Sequence, residues 1–160
     1  MDNVAALRAQ LARMLDWEDA HVGFDAAVAD LEPVARGTAP AGFPHTAWQL
    51  VEHIRLTQRD ILDFCRDPRY VTPSWPADYW PPTPAPPDER AWASSVNDCV
   101  ADRAALAELA LDGSVDLFAT IPHGTGQSYL RELLLVADHT SYHVGQLVAL
   151  RRQLGAWPVA

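Results

Sequence analysis

The stretch from residue 67 to residue 87 holds eight of the chain's 13 prolines. Proline has no backbone N–H and a fixed φ, so this density excludes a helix or a central strand and predicts a stiff extended loop. Three large aromatic residues in it, Trp75, Tyr79 and Trp80, predict that the loop docks on the body of the protein. The loop either seals one end of the core or forms one wall of a binding pocket.

Helical periodicity dominates the rest of the chain. Apolar residues three or four positions apart mark a first helix from about Leu7, which is expected to bend near Gly23 and to end before Pro33. The same spacing predicts a third helix from about Asp88 to Leu111. No segment has the alternation of apolar and polar residues that marks a half-buried strand.

The second and fourth helices carry signals at their ends. Thr46 and Gln49 form a capping-box pattern, and the second helix is predicted to run from there to about Arg66. The fourth is predicted to start near Ser128 and to close at Gly155, since glycine is favoured just after a helix end. Four long helices with one apolar stripe each predict an all-α four-helix bundle, with the Pro/Trp-rich loop between helices two and three.

Length and charge limit the class of protein. A chain of 160 residues with 49% apolar residues can bury one core, which predicts a single domain over residues 1–160. Twelve arginines, no lysine and 21 acids give a net charge of −9, which disfavours nucleic acid and anionic membrane surfaces as ligands. Without lysine, Schiff-base and P-loop chemistry are excluded.

Two further features bear on the location of the protein. The longest apolar run, Leu133 to Ala137, is far too short to span a membrane, and the start of the chain lacks a signal-peptide pattern. A cytoplasmic location is therefore expected. Cys65 and Cys99 have no CxxC spacing, which favours small buried hydrophobic residues over a redox pair or metal ligands.

Three histidines lie on predicted core-facing stripes. His139 and His143 are four residues apart, which on a helix places both imidazoles on one face, about 6 Å apart. His53 lies in the middle of the apolar stripe of the second helix. Three neutral imidazoles at about 2.1 Å from one ion are the ligand set of a catalytic zinc-type site that leaves a position for water or substrate. Any one of them alone is better explained as a core histidine bonded to backbone or to an acid.

Two acids are candidates to support such a site. Glu132, two turns before His139 on nearly the same face, could orient a ligand or act as a general base; a simple acid at the start of the helix is the alternative. Asp60, two turns after His53, could play a similar part, and its alternative is a salt bridge to an arginine of a neighbouring helix.

The remaining polar candidates lie on the fourth helix and in loops. Gln146 and Tyr142 flank His143 and are candidates for hydrogen bonds near the site. His21 and His123 are expected to lie at the surface or in loops, and lining of the metal pocket is the less favoured alternative.

Three segments of the chain form one recognisable pattern: HTAWQLVEHIRLTQRDILDF, the loop with DYWP, and GTGQSYLRELLLVADHTSYHVGQLVALRRQLGAWP. Its most specific part is HxxxYHxGQ in the fourth helix. From about residue 45 to residue 158 the chain strongly resembles the DinB-like family, also called the DinB/YfiT-like metalloenzymes. The resemblance implies a four-helix bundle with a divalent metal on one histidine of the second helix and two of the fourth. Those positions correspond here to His53, His139 and His143.

The resemblance also carries an expectation about activity. Relatives in the family include thiol S-transferases that use bacillithiol or mycothiol, and a mycothiol-dependent maleylpyruvate isomerase. The implied function is a metal-dependent enzyme, with transfer of a thiol to a small electrophile as the favoured reaction. A metal-dependent hydrolase, and a non-catalytic metal- or ligand-binding stress-related protein, are the alternatives.

The expected cofactors and partners follow from the same resemblance. The cofactors are a divalent ion, with zinc, nickel or iron as candidates, and a low-molecular-weight thiol; such an ion lowers the pKa of a bound thiol or water. The expected partners are a small-molecule substrate and a second copy of the chain, because members of the family often pair as homodimers through helix faces. Binding of nucleic acid or membrane is not expected.

Overall fold

The computed structural model describes residues 3–158, which fold as an all-α four-helix bundle. Within this range no β-strand forms. The helices are Asn3–Met14 (α1), Phe24–Val28 (α2), Pro33–Arg36 (α3), Ala47–Arg66 (α4), Glu89–Leu111 (α5) and Tyr129–Gln153 (α6). The four long ones, α1, α4, α5 and α6, are those that the apolar periodicity predicts, so the predicted fold class is confirmed.

The first helix is shorter than its apolar pattern predicts. Helix α1 ends at Met14, and a non-helical segment follows before α2 begins, so the expected continuous helix with one bend near Gly23 is wrong. The buried Arg103 of α5 spans the non-helical segment, since it pairs with Asp16 at 3.2 Å and with Asp25 at 3.0 Å. These two ion pairs hold both ends of the segment against the bundle.

The predicted end signals of α4 and α6 are confirmed. The Thr46 hydroxyl accepts from the Gln49 backbone N–H, and the Gln49 side chain accepts from the Thr46 N–H in return. The Ser128 hydroxyl accepts from a backbone N–H in the first turn of α6. Gly155 has a φ of +66°, the left-handed conformation in which glycine commonly ends a helix.

The proline-rich loop runs back along α4, from its C-terminus towards its N-terminus. Apart from a short 3-10 helix, Ala77–Tyr79, it is irregular, as the prolines predict. The loop is tied at its far end by the Thr46 hydroxyl, which donates to the Pro84 carbonyl at 2.6 Å. Gly37 lies against Ala85 so closely that an added Cβ would be 2.5 Å from the Ala85 Cβ. These contacts hold the far end of the loop beside the start of α4.

Two apolar clusters fill the bundle, and a polar band separates them. On α4 the band lies between Ile54 of one cluster and Ile61 of the other, and on α6 between Ala137 and Val144. Within it the buried side chain of Gln58 donates to the Thr140 hydroxyl at 3.3 Å. Two candidate histidines, His139 and His143, belong to this band, and the third, His53, lies at its edge, one residue before Ile54.

The two cysteines lie in the apolar core. Both are buried and free, and burial raises the pKa of the Cys65 thiol to about 12 and that of Cys99 further. A thiol that stays protonated is a poor nucleophile and a poor metal ligand, so the interpretation as small hydrophobic residues is favoured. Among residues 3–158 no helix is both long enough and apolar enough to cross a membrane.

Candidate metal centre

Three histidines from two helices converge between α4 and α6. His53 projects from α4, and His139 and His143 project from successive turns of α6. One ring nitrogen from each lies within 4.8 Å of the others. His53 and His143 are buried and His139 is partly buried. The arrangement predicted from the helical stripes is therefore present in the fold.

Two of the histidines are held by an acceptor at Nδ1. The Nδ1 of His53 donates to the backbone carbonyl of Tyr79 at 2.7 Å. The Nδ1 of His143 donates to Oε1 of Gln146 at 2.7 Å, and the Gln146 amide donates in turn to the Tyr142 hydroxyl at 3.2 Å. An acceptor at Nδ1 places the proton there and leaves the lone pair on Nε2, the form in which a neutral imidazole binds a metal.

The third histidine lacks such a partner. Nε2 of His139 lies 3.1 Å from Nε2 of His53, and Nδ1 of His139 is buried without a hydrogen bond. Two nitrogens at about 2.1 Å from one ion would lie about 3 Å apart if they met it near a right angle. The donor set, the free Nε2 atoms and this spacing all fit a divalent ion.

Electrostatics favour the neutral form of all three rings. Burial, followed by the neighbouring His143 and His53, lowers the pKa of His139 to about 3. Burial is also the first cause of the lowered pKa of His53 and of His143, and hydrogen bonds to Tyr79 and Gln146 oppose it in part. At neutral pH the cluster is uncharged and can accept a cation without first losing protons.

Aromatic rings surround the cluster. The Trp80 indole stacks on His53 with ring centroids 3.9 Å apart and planes 6° from parallel. Trp75 lies further out, with its centroid 6.5 Å from that of His53, and is 71% exposed. On the α6 side the Tyr142 ring lies 4.9 Å from His143. The loop aromatics thus border the histidines, as a pocket wall requires; their contact with a ligand stays a prediction.

The sequence profile of the DinB superfamily matches residues 16–147. The chain belongs to the DinB superfamily. This match confirms the family resemblance carried by the second and fourth helices. No curated protein and no solved structure matches the chain.

A cavity of about 210 Å³ with both polar and apolar lining lies between α4 and α6 in this DinB-superfamily fold. Asp60 and Glu132 line it from facing helices, and so does Leu135, one turn before His139. The buried Glu132 carboxylate accepts from Nη1 of Arg131 at 2.7 Å. The three histidines are not among the lining residues described. Glu132 thus lies near the cluster along α6, but in a separate cavity.

Asp60 is held by two tyrosines, where an arginine was the expected alternative. Its carboxylate accepts from the Tyr70 hydroxyl at 2.6 Å and from the Tyr79 hydroxyl at 2.7 Å. Burial and the Asp60 carboxylate raise the pKa of Tyr70 to about 12 and that of Tyr79 as well. Both phenols therefore stay protonated and keep donating. Since the Tyr79 carbonyl holds His53, this cluster connects Asp60 to the candidate ligand.

The other histidines take different positions. His21 is exposed and contacts its neighbour's carbonyl at 2.9 Å, and Nε2 of His123 donates to the Phe64 carbonyl at 2.8 Å, so neither joins the cluster. His45, which the helical pattern does not single out, stacks on the outer face of Trp80 at 4.0 Å. It lies just before α4, where no periodicity can reveal it.

Proposed function

We propose that this protein is a metal-dependent enzyme in which His53, His139 and His143 hold one divalent ion. The observation that carries the proposal is the convergence of three ring nitrogens within 4.8 Å, with the Nδ1 atoms of His53 and His143 fixed by acceptors. Three protein ligands leave at least one position for a thiol or water. A bound ion would lower the pKa of that group and so supply a nucleophile at neutral pH.

The three histidines restrict the ion to metals that bind imidazole nitrogen well, but they do not select one of them. An all-nitrogen set of neutral imidazoles suits zinc, nickel and iron alike, because affinity alone does not select among them. We propose zinc, nickel or iron as the resident ion. Metal analysis of protein purified without added metal distinguishes them.

Two features of the surroundings favour a thiol over water as the nucleophile. The two candidate acids, Asp60 and Glu132, line a cavity whose described lining includes none of the three histidines. Their carboxylates accept from Tyr70, Tyr79 and Arg131, so neither is placed as a general base for water at the cluster. The wall formed by Trp75 and Trp80 offers an apolar surface to a small electrophile and keeps bulk water away.

We therefore propose thiol S-transfer as the reaction. The thiol sulfur attacks an electrophilic carbon, a C–S bond forms, and the bond to the leaving group breaks with its electron pair on that group. The thiol proton passes to solvent. His53 and His143, each held at Nδ1, keep the nucleophile in one place, and the loop aromatics hold the electrophile beside it. Low-molecular-weight thiols such as bacillithiol or mycothiol are the proposed co-substrates, and a hydrolase or a non-catalytic binding protein are the competing functions.

Metal content is the first test. Purified wild-type protein is expected to hold about one divalent ion per chain, and His139→Ala is expected to hold far less. His21→Ala, the same change at an exposed histidine outside the cluster, should retain the wild-type content. Equal metal in wild type and His139→Ala, or none in wild type after reconstitution, would reject the three-histidine site.

Turnover separates the competing functions. With 1-chloro-2,4-dinitrobenzene and a panel of thiols, the metal-loaded protein should form the thioether faster than the uncatalysed reaction, and chelation should remove the excess rate. Glu132→Gln should leave thiol-dependent turnover close to the wild-type rate with metal retained, because Glu132 lies in a separate cavity; a loss of roughly 10²–10⁴ would instead show that Glu132 acts as a general base. Metal binding without any thiol-dependent rate would favour the non-catalytic protein, and hydrolysis of activated esters without thiol would favour the hydrolase.

A further inference from the structure

Among residues 3–158, three buried side-chain polar atoms lack a hydrogen-bond partner: Nε1 of Trp48, Oε1 of Gln58 and Nδ1 of His139. Trp48 lies in an apolar cluster at the start of α4, about 15 Å along the helix from Gln58. The other two atoms belong to the polar band between the clusters. Buried polar groups are nearly always paired, because an unpaired group loses its bonds to water without compensation. Two unpaired atoms in one band therefore need a physical explanation.

The two atoms become complementary when an ion is bound. A metal at Nε2 of His139 takes the lone pair of that nitrogen, so the ring proton lies on Nδ1, which is then a donor. Oε1 of Gln58 is an amide carbonyl oxygen and can only accept. His53 and His143 already have an oxygen acceptor at Nδ1. Gln58 would give His139 a partner of the same kind.

The directions of the two helices bring Gln58 to the level of His139. On α4, His53 contacts His139 of α6, with their Nε2 atoms 3.1 Å apart. Asp60, two turns after His53, shares a cavity with Glu132, two turns before His139. The helices therefore run antiparallel, and the part of α4 between His53 and Asp60 faces the turns of α6 that lead up to His139.

Gln58 lies in this part of α4, and its side chain reaches α6. Its Nε2 donates to the Thr140 hydroxyl at 3.3 Å, one residue after His139. Helical side chains lean towards the N-terminus of their own helix, so Gln58 and His139 lean towards each other across the antiparallel pair. The last torsion of a glutamine side chain is broad, so Oε1 can turn towards a donor at little cost. Because Gln58 is only 3% exposed, bulk water does not compete for this oxygen.

We propose that Gln58 positions His139: when the three histidines hold their ion, Oε1 of Gln58 accepts from the Nδ1–H of His139. This inference rests on the proposed metal centre and supplies the partner that its third ligand lacks. Every ligand would then be fixed by an oxygen acceptor, which comes from the loop for His53, from α6 for His143 and from α4 for His139. The orientation of His139 would in this way depend on the buried core of the bundle.

Gln58→Met tests the acceptor, because methionine has a similar length and no amide oxygen. The dissociation constant for zinc, measured by competition with a chelator, should rise by roughly 10–100-fold, the usual effect of losing such a partner. The melting temperature of the metal-free protein should stay the same or rise, since a buried unpaired oxygen is removed. A residue with only a packing role would show the reverse, a lower melting temperature with unchanged affinity.

Thr140→Val is the matched control. It removes the hydroxyl to which Gln58 donates but leaves Oε1 of Gln58 in place, so zinc affinity should stay at the wild-type value. Gln58→Glu keeps an oxygen acceptor and should bind zinc much better than Gln58→Met. In the cobalt-substituted protein the Nδ1–H proton of each ligand gives its own paramagnetically shifted resonance. Gln58→Met should shift one of the three, or speed its exchange with solvent, and leave the other two unchanged; this measurement decides if Gln58→Glu does not fold.

The outcomes separate this inference from the proposed metal centre. Wild-type zinc affinity in Gln58→Met, or three unchanged N–H resonances, would overturn the role of Gln58 and leave the centre intact. Equal weakening of zinc binding in Gln58→Met and Thr140→Val would also overturn it, because the effect would then not depend on Oε1. A wild-type protein that binds no ion would reject the centre itself, and this inference with it.

Discussion

The orientation of two of the three candidate ligands, His53 and His143, depends on one acceptor each. For His143 that acceptor is the Gln146 side chain, one helical turn away, and for His53 it is a backbone carbonyl from a loop 26 residues later in the chain. The first partner is local and lies within reach of sequence reasoning. The second is long-range, and no spacing in the sequence indicates it.

Replacement of Gln146 by leucine should weaken metal binding. The variant removes the acceptor that fixes the proton on Nδ1 of His143, and loss of such a partner typically reduces metal affinity by about 10–100-fold. Competition with a chelator measures the affinity, and the visible spectrum of the cobalt-substituted protein reports the altered geometry. Gln153→Leu, at an exposed position near the end of α6, is the control. Equal affinities in the two variants would show that Gln146 does not orient His143.

The proline-rich loop is the element that completes the centre. It is held to α4 by the Tyr70 and Tyr79 hydroxyls at Asp60, and by the Thr46 hydroxyl at Pro84. Between these anchors it supplies a backbone acceptor and an indole face to one candidate ligand. The loop and α4 therefore act as one unit, because neither of them forms the site alone.

Tyr79→Phe and Tyr70→Phe form a matched pair of variants. Each removes one hydrogen bond to Asp60, but only Tyr79 also holds His53 through its carbonyl. We expect Tyr79→Phe to weaken metal binding by roughly fivefold, the equivalent of one hydrogen bond of about 1 kcal/mol, and to shift the cobalt spectrum. Tyr70→Phe should change stability with little effect on either. A spectrum that shifts equally in both variants would contradict this role of Tyr79.

Trp80→Ala separates a pocket wall from a seal of the bundle end. Trp80 is only partly buried, so we expect a loss of stability smaller than the roughly 3–5 kcal/mol of a fully buried aromatic truncation. Because the indole covers His53, ligand affinity should fall while metal is retained. Thermal denaturation and ligand titration on this variant measure the two effects. A full loss of stability with unchanged affinity would assign Trp80 to sealing the core.

The stability of the whole molecule is expected to depend on pH because the histidine cluster is buried. The folded protein holds the pKa of His139 at about 3, whereas an exposed histidine has 6.5. The unfolded chain therefore binds more protons between these values, and the free energy of unfolding of the metal-free protein should decrease as pH falls from about 6.5 towards 3. Above pH 6.5 His139 is neutral in both the folded and the unfolded protein, so burial of its ring no longer lowers the free energy of unfolding.

Chemical denaturation at a series of pH values, in the presence of chelator, measures this dependence. In His139→Ala the slope between pH 6 and pH 4 should be smaller, since carboxylates common to both proteins contribute equally. Parallel curves for wild type and variant would show that the folded state does not suppress protonation of His139.

The sequence by itself determined the helical class, the extended loop and the three histidines. Helix ends depend on residues close in the sequence. Thr46 with Gln49 caps the start of α4, Ser128 caps the start of α6, and Gly155 follows the end of α6, as the sequence predicts. Helical periodicity depends only on neighbours along the chain, which is why it placed the candidate ligands on inward faces.

The tertiary structure decided what joins distant parts of the chain. Ion pairs of Arg103 hold the non-helical segment that follows α1, the Tyr79 carbonyl reaches His53, and His45 stacks on Trp80 from outside any helix. These contacts depend on the path of an irregular backbone between anchors, which has no period for a sequence pattern to reveal. The position of His53 could be predicted because a helix has a regular repeat. Its hydrogen-bond partner could not be predicted, because the loop that carries it has no regular repeat.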